Sequence, residues 1–238
     1  MPAASSAERV VDVPGRVRAG MILAGFLPLL HAAAVVTLAG LGVARGDPRL
    51  MALAPAVLYL VPPLVVRLVT LGRPLPRGRV ELASGAFLRW WITAQSQMVF
   101  ARLPFLEELL RLVPALYSAW LRLFGARIGA LVYWAPGVSV LDRSLVEVGD
   151  RVAFGAGARL ASHAIVPVEG RGALVLGRIV IGDDALVGGY ATLLPGCEVG
   201  AGEVAPALRT VHAFTRTAGG TRERLPIPGV TDRDAVGE

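Results

Sequence analysis

His163 is the residue in this chain whose type and position most directly suggest chemistry. It stands in Ala161-Ser162-His163-Ala164-Ile165-Val166-Pro167, just before a break in an otherwise regular repeat. His31 lies far upstream and His212 follows the repeats, so His163 is the sole repeat histidine. An imidazole with an ordinary pKa of roughly 6.5 is mostly neutral in the cytoplasm and can take a proton from a hydroxyl or amine. Asp142 or Glu169 is available to orient it. Asp183 and Asp184 suit a turn instead, where a short carboxylate bonds nearby backbone N–H groups. Cys197 is the one cysteine. It excludes an internal disulfide and any Cys-based zinc site. With one repeat histidine, a multi-His metal centre lacks ligands, and no metal is expected.

The elements that must position His163 show in the spacing. From Ile128 the chain reads in sixes, with an apolar residue first, often Gly or Ala second, and a small residue fifth. Ile128-Gly-Ala-Leu-Val-Tyr is followed by hexads beginning at Trp134 and Val140. After a two-residue slip come hexads at Val148, Phe154 and Leu160. An interruption over 166–180 follows, and the frame resumes at Ile181, Val187, Leu193 and Val199. So short a period implies a parallel β-solenoid, with six residues per flat side and three sides per coil. First and fifth side chains point inward, glycine in second place frees the corner backbone, and Cys197 is a buried fifth-place filler. His163, fourth in its hexad, is expected to point outward.

Two apolar runs precede the repeat. Met21–Ala44 carries no charged residue, and Leu50–Leu71 is interrupted by Pro62-Pro63 and by Arg67. At 1.5 Å per residue each run reaches beyond roughly 30 Å, enough to cross a bilayer. The prolines should kink the second run, and Arg67 should snorkel to the headgroups. Arg9, Arg16 and Arg18 flank the pair on one side and Arg73, Arg77, Arg79 and Arg89 on the other, against only Arg45 and Arg49 between. That bias puts both termini in the cytoplasm. Between 73 and 124 the pattern is helical and amphipathic. Leu109, Leu112, Val113, Leu116, Trp120 and Leu123 share one face, Glu107, Glu108, Arg111, Ser118 and Arg122 the other, and Pro114 makes a break. Trp90 and Trp91 suit a membrane interface.

Composition agrees. The chain is 54% hydrophobic and 18% charged, too apolar for a disordered protein. Its net charge of +6 comes entirely from arginine. With no basic stripe interleaved with aromatics, the charge reads as contact with anionic membrane lipids and no nucleic acid is expected.

The repeat resembles that of the hexapeptide-repeat acyltransferases, over roughly residues 128–204. The His before an excursion and the Ile-Gly-Asp turn after it are similar to the sugar O-acetyltransferases of that family. The resemblance implies a left-handed β-helix, a homotrimer with sites between subunits, and acyl-CoA, most simply acetyl-CoA, as co-substrate. It makes His163 the general base toward a hydroxyl or amine of a sugar or envelope precursor, either a small molecule or lipid-linked. Gly188, Gly189 and Ala191 would line the pantetheine arm and Arg209 would meet the phosphates.

The full expectation is a mainly β C-terminal domain preceded by transmembrane and interfacial helices. Its parts are a disordered 1–19, two transmembrane helices over 20–72, interfacial helices over 73–124, the solenoid over 125–204 and a polar tail over 205–238. The place is the bacterial inner membrane, with the catalytic domain cytoplasmic. One alternative stays open, a non-catalytic trimeric scaffold for membrane-associated biosynthetic enzymes. It is favoured by the early end of the frame and by Ala185-Leu186, where many of the acetyltransferases carry Trp.

Overall fold

The computed structural model describes residues 13–82, 84–168 and 171–228. Seven helices come first: α1 (Gly15–Gly25), α2 (Leu27–Arg45), α3 (Pro48–Thr70), α4 (Gly85–Ser96), α5 (Met98–Arg102), α6 (Phe105–Arg111) and α7 (Leu116–Leu123). Helices α1 and α2 meet at Phe26 and together with α3 are long and apolar enough to cross a membrane. Asp47 caps α3 by accepting from the Arg49 N–H. The α3 helix runs unbroken through Pro55, Pro62 and Pro63.

Several expectations change here. Residues 1–12 of the expected disordered N-terminus, Arg9 among them, lie outside the described residues, but 15–19 are helical because α1 packs on α4 and buries Val17. Arg67 is exposed and has protein partners. Its guanidinium donates to the carbonyls of Leu123 and Arg122 at 3.0 and 3.1 Å and so caps α7. The expected faces of α6 and α7 hold at Trp120, which is buried, and at Arg122, which is exposed, but not at most other positions. Leu109, Leu112, Val113, Leu116 and Leu123 are exposed, while Glu107 and Ser118 are buried. Burial of Glu107 is compensated by Arg143, Arg111 and Tyr117, and Ser118 accepts the Trp134 indole N–H at 2.9 Å. Trp90 is likewise buried rather than interfacial.

The repeat folds as a triangular prism of parallel ladders. One face stacks Arg127–Ile128, Val146–Val148, Ile179–Ile181, Glu198–Val199 and Thr215–Ala218. The second stacks Tyr133–Trp134, Ala153–Phe154, Leu186–Val187 and Val204–Ala205. The third stacks Ser139–Val140, Arg159–Leu160, Thr192–Leu193 and Thr210–Val211. First-position side chains such as Phe154, Leu160, Ile181, Val187 and Leu193 fill the interior, with Ala158, Ala185, Ala191 and Cys197 behind them. Helices α5, α6 and α7 close one end, where Phe100, Leu106, Leu110, Tyr117 and Trp120 join the same core.

The backbone corrects the corner chemistry. Positive φ falls at fourth positions: Leu131, Gly137, Arg151, Gly157, Asp184, Tyr190, Gly196, Gly202, Leu208 and Phe214. Second-position glycines serve close stacking instead. A Cβ on Gly188 would lie 2.3 Å from the Ala207 backbone N of the next coil. The frame also outlasts Val204. Ala205-Pro-Ala-Leu and Val211-His-Ala-Phe make further sides, and Thr215–Ala218 pairs back antiparallel with Thr221–Arg224, so the described part of the expected tail is ordered β-structure. Small Ala205 in a first position disguises this in sequence.

Candidate active site

The excursion begins earlier than its sequence boundary. His163–Val168 and Arg171–Leu176 pair antiparallel as a hairpin, and Gly78–Glu81 adds a third strand to it. His163 is therefore the first residue of the hairpin, not the fourth of a coil side. One face of this small sheet packs on α4, where Val80, Leu174 and Leu176 meet Phe87 and Trp90.

That placement aims the ring at a carboxylate. His163 Nδ1 lies 2.6 Å from Asp142 Oδ2. The other oxygen, Oδ1, accepts the indole N–H of Trp90 at 2.9 Å. Asp142 is 2% exposed, and the Trp90 ring meets His163 edge-on with centroids 4.9 Å apart. Asp142 thus faces a donor on each of its oxygens, the indole on one and the imidazole on the other. The His163 proton is then on Nδ1, leaving the Nε2 lone pair free in the neutral ring. Nε2 makes no hydrogen bond among the described residues. Burial pulls the imidazole pKa down, and Arg159 does so slightly. The hydrogen bond and negative charge of Asp142 outweigh both, so His163 titrates above its ordinary value.

Asp142 is in turn held by the helices. It opens the 3₁₀ turn Arg143–Leu145, which immediately precedes the two-residue slip in the repeat. Gln97 Oε1 accepts from the Arg143 backbone N–H at 3.2 Å and from its guanidinium at 3.1 Å. The same guanidinium pairs with Glu107 and faces the rings of Phe100, Trp120 and Phe124. Glu107 also accepts the Tyr117 hydroxyl at 2.6 Å. Burial and the Glu107 charge push the Tyr117 pKa up, which keeps that hydroxyl a donor. Ser162 Oγ donates to Leu145 O at 3.1 Å and ties the hairpin entrance to this turn.

The expected cofactor residues are not gathered beside His163. Gly188, Gly189 and Ala191 sit at the corner between the second and third faces, whereas His163 leaves the far end of the third. Ala191 points into the prism and is fully buried, so it lines no arm: a fifth position is an interior position. Gly188 is half-buried against Ala207. Arg209 is exposed on the same corner column, and its carbonyl accepts from the Thr192 N–H. Glu169 lies outside the described residues. Cys197 is sealed in the core, and burial pushes its thiol up to about 12.

No protein-family model matches the chain, and no curated protein does. Among solved structures it is similar to a hexapeptide-repeat-containing acetyltransferase from Vibrio cholerae, at 19% identity over 55% of this chain and 91% of that one, with a TM-score of 0.38. The counterpart from Vibrio cholerae O1 biovar eltor, complexed with acetyl coenzyme A, gives 19% identity, 56% and 89% coverage and a TM-score of 0.35. A maltose O-acetyltransferase from Clostridium difficile 630 gives 15%, 52%, 84% and 0.32.

Trp90 and Gln97 escape sequence reasoning, since nothing in a helical stretch marks which residue will cross to a solenoid corner. Asp142 did carry a signal. It sits in the hexad just before the slip of the frame, 21 residues before His163, close to the 18 of one full coil.

Proposed function

We propose that this chain is a CoA-dependent acyltransferase that moves an acyl group, most simply acetyl, to a hydroxyl or amine, with His163 as general base. The observation that carries the reading is the fixed ring itself: Nδ1 bound to buried Asp142, Asp142 bound to Trp90, and Nε2 free. This is the arrangement a proton acceptor needs. The carboxylate holds the tautomer and stabilises the imidazolium that forms.

In the reaction the acceptor proton passes to Nε2 as the acceptor oxygen or nitrogen bonds the thioester carbonyl carbon. Collapse of the tetrahedral adduct breaks the C–S bond. The departing thiolate takes the proton from the imidazolium, leaving acylated acceptor, CoA thiol and a neutral ring. The chain's own part is to orient the imidazole and to hold and return one proton. A sugar or envelope precursor is the acceptor class that the resemblance to sugar O-acetyltransferases suggests.

The reading extends to place and assembly. Helices α1–α3 as an anchor in a bacterial inner membrane, with both termini cytoplasmic, fit their apolar surfaces and the arginine bias of the flanks. The exposed leucines of α6 and α7 fit contact with the membrane surface. A homotrimer is supported by the contrast between prism faces. Outward residues of the second face form the ladder Tyr133, Ala153, Leu186 and Val204, while the first face carries Arg127, Glu147, Glu198 and Arg216. An apolar ladder of this kind suits burial against another copy.

The test is thiol release from acetyl-CoA by the purified full chain, offered panels of sugar and amino acceptors, beside a His163→Ala variant. Acceptor-dependent release by the wild type alone supports the assignment. Equal release removes His163 as base, and no release together with no calorimetric binding of acetyl-CoA returns the chain to a scaffold.

A further inference from the structure

The strand bearing His163 is held to the apolar helices by two separate routes. The first is strand register. His163 stands opposite Leu176, and Leu176 stands opposite Gly78. Two strand spacings of about 4.8 Å put His163 roughly 10 Å from Gly78. Gly78 follows Leu71, the end of the second apolar run, by seven residues, which span at most about 25 Å.

The second route is side-chain packing. Trp90, which contacts the His163 ring, neighbours Trp91, and the Trp91 indole N–H donates to Met21 O at 3.1 Å. Met21 begins the first uncharged run, and its side chain packs on the cluster of Val80, Phe87, Trp90, Leu174 and Leu176 beneath the catalytic hairpin. Close contact between α1 and α4 fixes this. A Cβ on Gly20 would lie 2.9 Å from the Leu88 side chain.

The first route ends just past Leu71, where the second apolar run stops, and the second ends at Met21, where the first begins. From there Ile22, Leu23 and Phe26 present exposed apolar surface along the helix. Ile165, two residues from His163 and on the same side of its strand, is 59% exposed. His163 thus shares one side of its strand with exposed Ile165, on a hairpin tied to the ends of both apolar runs, whose exposed side chains form an apolar surface. A freely soluble acceptor gains nothing from such a surface, whereas an acyl or prenyl tail loses water contact along it.

We infer that the acceptor is a membrane-resident amphiphile whose hydroxyl or amine sits on a headgroup at the bilayer surface. The inference rests on the acyltransferase and anchor readings above and selects between the soluble and lipid-linked acceptors they allow.

The experiment uses membranes and cytosol from cells lacking the gene, where unmodified acceptor accumulates. Full-length wild type or His163→Ala chain in detergent is added with acetyl-CoA radiolabelled in the acetyl group, and the products are partitioned between chloroform–methanol and water. The expected result is organic-phase label more than about tenfold above the His163→Ala level, a modest part of what a general base contributes. His163-dependent label confined to the aqueous phase overturns the amphiphilic acceptor and leaves the acyltransferase standing. Equal label from both chains removes His163 as base, and no label above a chain-free control in either phase overturns the acyltransferase and this inference with it.

Discussion

Asp142 accepts the Nδ1–H of His163 at 2.6 Å across the coils of the solenoid. Its negative charge raises the affinity of the ring for a proton and fixes which nitrogen is free. Asp142→Asn removes the charge and lets the amide donate to Nδ1, which moves the ring proton to the catalytic nitrogen. We expect kcat to fall by about 10²–10⁴. The acid limb of kcat/KM, which reports His163 deprotonation, should move to lower pH. A limb that stays in place would show that Asp142 does not act through the ring.

Trp90 provides a second lever on the same carboxylate. Trp90→Phe keeps an aromatic ring beside His163 and deletes the donor to Asp142 Oδ1. A carboxylate with one donor fewer is more basic and holds the His163 proton more tightly. The acid limb should therefore move up, opposite to Asp142→Asn, with a smaller loss of kcat. Leaving a buried acceptor unpaired should also lower stability by about 1–3 kcal/mol. Trp90 is a positioning residue on this argument, and a downward shift of the limb would refute it.

The pKa shift of His163 has a consequence for folding. Its folded value lies above its unfolded value, so the native state binds the proton more tightly. The contribution is fully present below about pH 6.5, the unfolded value, and is lost as pH rises through the folded one. Thermal unfolding in detergent, followed by circular dichroism across that window, should show the wild-type Tm declining relative to His163→Gln. Parallel Tm curves would mean that the proton is not held more tightly in the native state.

The solenoid was legible because its period is set by covalent spacing. A side needs six residues whatever surrounds it, and first positions such as Phe154, Leu160 and Ile181 must be apolar. The end of the frame was harder to place, since Ala205 fills a first position with a side chain that marks nothing. His163 stood out by isolation, yet its orientation did not, because the hairpin that turns it toward Asp142 depends on pairing with Gly78–Glu81 some 85 residues earlier. Glu107 misled for the same reason. A carboxylate on an amphipathic helix reads as solvated until a distant arginine reaches it, and Arg143 is 36 residues away.

That pair permits a separate test of how the helices support the site. Arg143 is almost wholly buried and shares its guanidinium between Glu107 and Gln97, while its backbone fixes the neighbour of Asp142. Arg143→Met leaves Glu107 buried with only Arg111 and Tyr117. Breaking a buried pair costs about 3–5 kcal/mol, and the retained partners place this case near the lower figure. Glu107→Gln in the Arg143→Met background removes the stranded charge and should recover a large part of the loss. Activity should follow stability only in part, because neither substitution restores the Gln97 grip on the Arg143 guanidinium. Denaturant unfolding of the two single variants and the double variant supplies the coupling energy. A double variant no more stable than Arg143→Met would show that Glu107 does not depend on Arg143 for its place in the core.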